Sequence, residues 1–186
     1  MVPSEYCLPA ATVRRIYDVC IELGLDRRVV AHGPTRTAAE TQHVLPPNCL
    51  VEKTVTGKLG DAFVLWTGVS DYTILKRQQK AVARALGMPT SSSHSLNPPE
   101  ANPMTCYAMA AGMVSPFLIP NTPAATSLAA ICVVPWPEAW NQTHDVAISL
   151  SLHESLIIPL SGLNSLLRLY LENAVPAMRL LIDEMA

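Results

Sequence analysis

The sequence predicts a mixed α/β fold of the α+β type: a single domain over residues 1–186, with helices surrounding a mixed central sheet. Segments with apolar residues at helical spacing alternate along the chain with short β-type runs. No internal repeat or long linker divides them. With 186 residues, of which 49% are hydrophobic and 15% charged, the chain can bury roughly 70% of its unfolded surface. The elements are therefore expected to share one core.

Three elements are predicted at the start of the chain. A helix over Ala11–Leu23 carries its apolar residues on one face and ends where Gly24 can adopt the left-handed conformation. Arg28–His32 is typical of a short strand. Thr37 and Glu40 have the T-x-x-E spacing of a capping box, which predicts a brief second helix.

A β-hairpin and a third helix follow. Leu50–Thr56 and Ala62–Thr67 are strand-like runs, and the four residues 57–60 between them predict the turn. Asp71 is the predicted N-cap of the third helix, which ends at Gly87. The apolar residues of this helix are Ile74, Leu75, Val82 and Leu86. They oppose a basic stripe formed by Lys76, Arg77, Lys80 and Arg84.

The rest of the chain is predicted to be rich in β-strands. A helix start is expected first, at Asn97 and the three residues Pro98, Pro99 and Glu100. The strand candidates are Leu128–Val134, Val146–Ser151 and Leu156–Leu160. A last helix is predicted over Leu163–Asn173, and Met178–Ile182 is interpreted as an edge strand or as further helix.

The overall charge gives no sign of a nucleic-acid binder. The net charge is −2 and the pI about 6.2, so any such partner must meet a local patch. The basic stripe is one such patch, although an exposed helix face of this kind is often only solvated. Between Arg84 and Arg168 the chain has no Lys or Arg, so the first half would carry a phosphate contact.

The cysteines and the apolar segments predict a cytoplasmic protein. The five cysteines are an odd number without a C-x-x-C pair, which favours reduced thiols. Prolines interrupt the longest apolar stretch, Cys106–Val134, before it reaches the ~20 residues of a membrane span. The chain also starts without the pattern of a signal peptide.

Common catalytic and metal-binding motifs are missing. The sequence has no G-x-S-x-G, H-E-x-x-H, G-x-G-x-x-G or P-loop, and no local His/Cys spacing that builds a zinc site. Neither a metal nor a cofactor is expected. A serine nucleophile beside His94 in Ser91–Ser95 and an acid/base pair at His144 and Asp145 are alternatives; a solvated loop and a turn are the simpler interpretations.

Lys53 lies within a β-type run, where alternation places it on the same face as Val51 and Val55. A lysine on an apolar face must extend its ammonium to water or bind an anion. It can also be an edge-strand lysine that prevents aggregation.

The segment Gly112–Pro116 opens the β-rich half with a G-x-x-x-P pattern. Glycine lets the backbone approach a ligand closely, and proline fixes φ so that the loop is rigid. A purely structural turn is the alternative.

Taken in order, these motifs resemble the YbaK family, the free-standing relatives of the editing domain inserted in bacterial prolyl-tRNA synthetases. The resemblance covers about residues 32–170. It rests on the His32–Thr37 stretch, Lys53-Thr54-Val55, Ala85-Leu86-Gly87 at a helix end, and Gly112–Pro116 followed by Phe117. Residues 1–27, a helical extension, and residues 176–186, a tail, lie outside the core of the match and would join the domain to a synthetase or another partner.

The resemblance implies a partly barrel-like sheet and an aminoacyl-tRNA deacylase that removes alanine or cysteine from tRNA for proline, without metal or cofactor. Lys53 would hold the 3′ end of the tRNA, and Gly112 and Ser115 would line the ester site, with water as the nucleophile. The implied substrate-binding residues are His32, Thr37, Thr54, Met113, Val114, Pro116, Ser149 and Ser151. Acceptor-stem phosphates would meet the stripe of Lys76, Arg77, Lys80 and Arg84.

The segment Ser149–Leu156 departs from the family pattern. It lacks the expected glycine, and Leu156 stands where the family often has an aspartate, unless Glu154 substitutes for it. This departure favours a second hypothesis, a catalytically inactive tRNA-binding or assembly module of an aminoacyl-tRNA synthetase.

Overall fold

Four helices and eight strands make up the part of the chain that the structure, a computed structural model, describes. The described residues are 8–70, 72–98, 114–117, 128–172 and 179–182. The helices are α1 (Ala10–Glu22), α2 (Ala38–Val44), α3 (Lys76–Ala85) and α4 (Leu163–Glu172). The strands are β1 (Arg28–Ala31), β2 (Cys49–Leu59), β3 (Ala62–Val69), β4 (His94–Leu96), β5 (Leu128–Val133), β6 (Asp145–Ser149), β7 (Glu154–Pro159) and β8 (Arg179–Leu181). Two short 3₁₀ helices span Glu138–Gln142 and Leu160–Gly162.

All eight strands belong to one mixed sheet, which confirms the predicted fold class. The order is β1-β7-β6-β2-β3-β5-β8, and β4 pairs with β2 outside this path. Strand β2 pairs antiparallel with β3 along most of its length. On its other side it pairs with β6 over Cys49–Val51 and with β4 over Gly57–Leu59. The long strand β2 therefore lies in the middle of the sheet and has two partners on one side.

Each face of the sheet has its own core. Helices α1 and α4 cover one face, here called the α1/α4 face, where Ile16 and Tyr170 pack with Leu65 and Ile131. Helices α2 and α3 cover the opposite α2/α3 face. There α3 packs on Trp66 of β3, and the end of α2 packs on Val51, Ala147 and Ile157. Burial on both faces explains the nearly continuous apolar runs of the strands.

The hairpin turn lies further along the chain than predicted. Residues 57–59 continue β2, and only Gly60 and Asp61 separate it from β3. Gly60 has φ +57°, which a glycine adopts without strain. The prediction of a four-residue turn was wrong because the glycine at Gly57 lies inside the ladder, where the Trp66 ring packs so closely that a Cβ would meet it at 2.7 Å.

The start of α3 was also predicted too early. The helix begins at Lys76 after Leu75, whose amide donates to Oε1 of Gln78 at 2.8 Å. Ile74 precedes the helix, and Leu75 is exposed rather than part of its apolar face. Asp71, the predicted cap, lies outside the described residues. The predicted end is confirmed, since Gly87 has φ +71°.

Strand β4 forms where the sequence predicted a solvated loop. His94 pairs with Leu59, and its ring meets the Trp66 ring edge-on at a centroid distance of 5.4 Å. Burial lowers the pKa of His94. The strand has only three residues and pairs with only the end of β2, so its sequence shows little periodicity. The serine-rich composition is typical of a loop, and for this reason the sequence did not predict a strand. The helix start predicted at Asn97–Glu100 lies largely outside the described residues, which end here at residue 98.

The remaining predicted elements agree with the structure. Helices α1 and α4 and strands β1, β5, β6 and β7 lie where the sequence predicted them, and Arg179–Leu181 forms an edge strand. Among the described cysteines, Cys20, Cys49 and Cys132 are buried and form no disulfide. Burial is the main cause that raises the pKa of Cys49 to about 11. None of the helices in the described ranges is long and apolar enough to cross a membrane.

Candidate functional site

Lys53 lies on an interior strand. It pairs with Gly68 of β3, and its side chain, half-buried, points to the α2/α3 face together with Val51 and Val55. On one side β2 pairs with β3, while on the other side it pairs with β6 up to Val51 and with β4 from Gly57, so Lys53 lies where the described residues leave that side of β2 open. Both interpretations, an anion-binding lysine and a lysine at an open strand edge, therefore stay predictions.

Two serines lie near the end of the β2–β6 ladder. The described pairing of these strands ends at Val51 of β2 and Ala147 of β6, and Lys53 and Ser149 each lie two residues beyond that pair. Ser149 in turn pairs with Ser155 of β7. Alternation from Val51 and Ala147 places all three side chains on the α2/α3 face. Ser149 and Ser155 lie on neighbouring strands, and Lys53 lies on the same face beyond the end of the β2–β6 pairing; this set is here called the polar row.

His32 completes the polar row at the far strand. Its Nε2 lies 3.0 Å from Oγ of Ser155, and its backbone N–H donates to the His153 carbonyl at 2.8 Å. The amide of Thr35 donates to the Leu152 carbonyl at 2.9 Å. The His32–Thr37 stretch and the Ser149–Leu156 segment, which are far apart in sequence, are therefore hydrogen-bonded neighbours.

Two further predicted residues use their hydroxyls in local structure. Thr37 is the N-cap of α2, and its Oγ1 accepts from the Glu40 amide at 3.2 Å. The Glu40 carboxylate accepts from the Arg36 amide at 2.6 Å, so the predicted capping box closes on the residue before the N-cap. Ser151 accepts from the His153 amide at 3.0 Å, which shapes the turn between β6 and β7.

Thr54 points away from Lys53, to the α1/α4 face. Its Oγ1 lies 2.5 Å from Oε1 of Glu52 and 2.9 Å from Oγ1 of Thr67, and the Thr67 hydroxyl lies 2.7 Å from the same Glu52 oxygen. Glu52 is buried, and burial, opposed by the two hydroxyls, raises the pKa of its carboxyl. This cluster was not predicted from the sequence. Alternation along β2 places Glu52 and Thr54 on one face, but only the structure shows that this face is buried.

The backbone of Thr54 faces a gap in the sheet. Thr56 accepts from the Asn97 amide, and by alternation Thr54 directs its N–H and C=O to the same side of β2. On this side β2 pairs only with β6 up to Val51 and with β4 from Gly57, among the described residues. The gap gives a ligand or loop a place to reach the middle of β2.

The segment 114–117 packs on the face opposite to Lys53. Val114 and Phe117 belong to the core of the α1/α4 face, and the Phe117 carbonyl accepts from the Tyr170 hydroxyl at 2.9 Å. Ser115 and Pro116 are buried, and Oγ of Ser115 accepts from the Phe117 amide at 3.4 Å. Gly112 and Met113 lie outside the described residues. The described part of this segment thus does not share a sheet face with Lys53.

The basic stripe lies on the helix that covers Lys53's face of the sheet. Helix α3 buries Gln78, Val82 and Ala83, and leaves the stripe exposed. The exposed residues of the stripe are Lys76, Arg77, Lys80 and Arg84. Within the described residues, no group of three His, Cys, Asp or Glu side chains is arranged to hold a metal ion.

Tyr72 packs against the sheet next to Lys53. Its ring lies so close to Gly68 that a Cβ there would be 2.8 Å from a ring carbon. The Tyr72 hydroxyl donates to the Trp66 carbonyl at 2.6 Å and lies 3.2 Å from the Lys53 carbonyl. Burial, followed by the nearby Glu52 carboxyl, raises the pKa of Tyr72, which keeps it a neutral donor. Tyr72 therefore fixes the backbone from which the Lys53 side chain extends.

Comparison with known proteins aligns the chain with solved structures at low sequence identity. One, from work on epitope backbone grafting by computational design, is 17% identical, with 92% of this chain and 96% of that chain covered and a TM-score of 0.48. Another, the crystal structure of a candidate trans-editing enzyme for prolyl tRNA synthetase, is 18% identical, with coverages of 86% and 93% and a TM-score of 0.49. No family model and no curated protein matches the chain.

Proposed function

We propose that this chain is a cytoplasmic aminoacyl-tRNA deacylase, which hydrolyses the ester between tRNA for proline and a wrongly attached alanine or cysteine. The observation that carries the proposal is the half-buried Lys53, which lies beside the gap in the sheet and on the same face as Ser149 and Ser155. An ammonium on this face suits a phosphate or ribose oxygen of the tRNA 3′ end.

The basic stripe supports a nucleic-acid substrate. Its four cations extend from α3, the helix that packs on Lys53's face of the sheet. The phosphates of the acceptor stem would meet the stripe, while the 3′ end would enter between α3 and α2 toward Lys53. In this arrangement the stripe would supply affinity through phosphate contacts, and the polar row would position the 3′ end of the tRNA.

The ester would lie at the gap beside β2. There the backbone N–H of Thr54 can donate to the carbonyl oxygen of the ester, where negative charge develops during hydrolysis. The roles of Gly112 and Ser115 at the ester, which the resemblance implies, remain part of this proposal. Water is the nucleophile, and the neighbouring hydroxyl of the terminal ribose assists it.

Deacylation of mischarged tRNA tests the proposal directly. We expect substoichiometric protein to release free alanine or cysteine from the corresponding tRNA for proline faster than buffer alone. Correctly charged prolyl-tRNA is the control and should keep its amino acid. Ester loss at the buffer rate for every mischarged tRNA would remove the catalytic proposal.

One observation favours a second candidate function, an inactive tRNA-binding or assembly module of a synthetase. Leu156 is fully buried in the core, and Glu154 is exposed and points to the face opposite to Ser155. No carboxylate from this segment therefore reaches the polar row. Salt-sensitive tRNA binding without release of amino acid would support this second candidate.

A further inference from the structure

The residue opposite Lys53 on β3 has no side chain. Lys53 pairs with Gly68, and the Cβ atoms of directly opposite residues on one face of a sheet lie about 4.5–5.5 Å apart. A side chain at position 68 would therefore lie beside the aliphatic stem of Lys53. Because position 68 is a glycine, another part of the chain can occupy this space on the α2/α3 face.

The Tyr72 ring occupies the space above Gly68. A Cβ on Gly68 would lie 2.8 Å and 3.1 Å from two carbons of the ring, and 3.2 Å from Cβ of Val134, which directly follows β5. Tyr72 packs against the same α2/α3-face core as Val134 and Val55. The ring therefore lies on the Gly68 backbone, with Val134 on its β5 side and Lys53 on its β2 side.

A turn after β3 brings Tyr72 back over the sheet. Ser70 has φ +57°, a left-handed conformation that is unfavourable for a residue with a Cβ. Backbone strain of this kind persists only where the surrounding structure fixes it. The Ser70 amide donates to the Val51 carbonyl at 3.0 Å, and the Tyr72 hydroxyl donates to the Trp66 carbonyl at 2.6 Å. These two hydrogen bonds fix the turn, and with it the position of the ring.

The ring restricts the directions in which the Lys53 stem can extend. On the β3 side the stem meets the Tyr72 ring. On the other side, the described residues leave β2 unpaired between Val51 and Gly57, and Ser149 of the polar row lies on that side. Each torsion of a lysine stem has three staggered wells, and a ring on one side removes those that lean towards it. The ammonium of Lys53 is thereby directed to the open side of β2.

We propose that Tyr72 is a positioning residue for Lys53, whose ammonium it keeps on the open side of β2, where the ester would lie. This inference rests on the proposed deacylase function. The ring is the part of Tyr72 that acts, because its carbons lie opposite Lys53, while the hydroxyl bonds to the backbone. Tyr72 itself touches neither the tRNA nor the reacting atoms in this proposal.

Single-turnover deacylation in a double-mutant cycle tests whether Tyr72 acts through Lys53. Tyr72→Leu removes the ring and keeps an apolar side chain. We expect its rate to fall about three- to ninefold, as one or two torsions of the Lys53 stem regain all three wells. In the Lys53→Ala background the same substitution should leave the rate unchanged, because the side chain that it positions is absent. Tyr72→Phe keeps the ring and should keep the rate.

Met88→Ala is the matched control. Met88 is also a half-buried member of the α2/α3-face core, but it packs beside Gly60 at the far end of the hairpin. It should keep the deacylation rate in both backgrounds. An equal fall for Tyr72→Leu with and without the Lys53 side chain would overturn the proposal, since Tyr72 would then have only a structural role. A rate for Tyr72→Phe as low as that of Tyr72→Leu would overturn it too.

Proton NMR of the unaltered protein tests the geometry without any variant that has to fold and without any activity. We expect nuclear Overhauser contacts between the Tyr72 ring protons and the stem protons of Lys53. Their absence would overturn the positioning role, whether or not the protein is a deacylase. If the contacts are present and the protein releases no amino acid, the deacylase proposal fails, while Tyr72 still orients the Lys53 side chain.

Discussion

Glu52 shows how a single residue can link pH to stability. Its carboxyl is buried on the α1/α4 face with the hydroxyls of Thr54 and Thr67, and burial raises its pKa. A raised pKa in the folded state means that the protonated acid is favoured by folding. The stabilisation is complete below the pKa of the unfolded state, at about 4.3, and is lost as the pH rises through the higher pKa of the folded state.

Replacing Glu52 with glutamine should remove this loss of stability at higher pH. Relative to the unaltered protein, we expect the free energy of unfolding of Glu52→Gln to increase between pH 4.5 and pH 7.5, by up to about 1.4 kcal/mol per pH unit. The amide oxygen can still accept from both threonines. Urea denaturation at the two pH values measures the effect. Glu154→Gln, on an exposed residue, is the control, and an equal response of both variants would contradict the account.

Gly68 lies in a position without room for a side chain, because the Tyr72 ring packs closely against it. An added Cβ would lie 2.8 Å from the Tyr72 ring and 3.2 Å from Val134. We expect Gly68→Ala to lower the free energy of unfolding by about 1–3 kcal/mol, the usual cost of overpacking. Gly33→Ala is the control, because a Cβ at Gly33 would meet nothing within 4 Å. Equal stability of the two variants in urea would show that the Tyr72 ring moves without cost.

At the scale of elements, the basic stripe of α3 can be altered without disturbing the fold. Lys76 and Lys80 are exposed, and the helix is anchored by Val82 and Ala83 on its other side. If each lysine neutralises one phosphate, Lys76→Gln combined with Lys80→Gln should weaken binding of uncharged tRNA. It should also reduce the slope of log affinity against log salt by roughly two.

Equilibrium binding at several salt concentrations measures this slope. Arg14→Gln is the control, since Arg14 is an exposed cation on α1, which packs on the opposite face of the sheet. The stripe has no part in tRNA binding if the double variant and Arg14→Gln keep the same salt slope as the unaltered protein.

Elements with strong local signals could be predicted from the sequence, and those that depend on distant partners could not. Helices α1 and α4 have regular apolar spacing, and Gly24 and Gly87 mark helix ends with their positive φ. Strand β4 has only three residues and exists because β2 extends far enough to pair with it. For the same reason the hairpin turn was misplaced, since the pairing of β2 with β3 continues through Gly57.

In the candidate site, too, local patterns could be predicted from the sequence, and neighbours that are distant in sequence could not. Alternation along β2 was sufficient to place Lys53 on the face of Val51 and Val55, and the register confirms this arrangement. The adjacency of His32 and Ser155 required the topology, because these residues are 123 positions apart. Glu52 was missed because a carboxyl in a strand is normally taken to face water, and only burial of both sheet faces places it inside.

For the whole molecule, we expect the polar row and the basic helix to act from one side of a single mixed sheet. Helices α2 and α3 flank Lys53 on the α2/α3 face, while α1 and α4 form the larger core behind it. A domain organised in this way can bind a macromolecule on one face without exposing its main core. The arrangement predicts that loss of Lys53 affects turnover and leaves folding largely intact.

Single-turnover deacylation by Lys53→Ala is the most direct measurement of this claim. The rate should fall at least about tenfold, since a lost charge-assisted contact costs about 1.5–3 kcal/mol. Lys58→Ala is the matched control: Lys58 lies on the same strand, is also half-buried, and its ammonium lies over the Phe63 ring on the other face. We predict a large loss for Lys53→Ala and little for Lys58→Ala. Equal rates for Lys53→Ala and the unaltered protein would contradict the account.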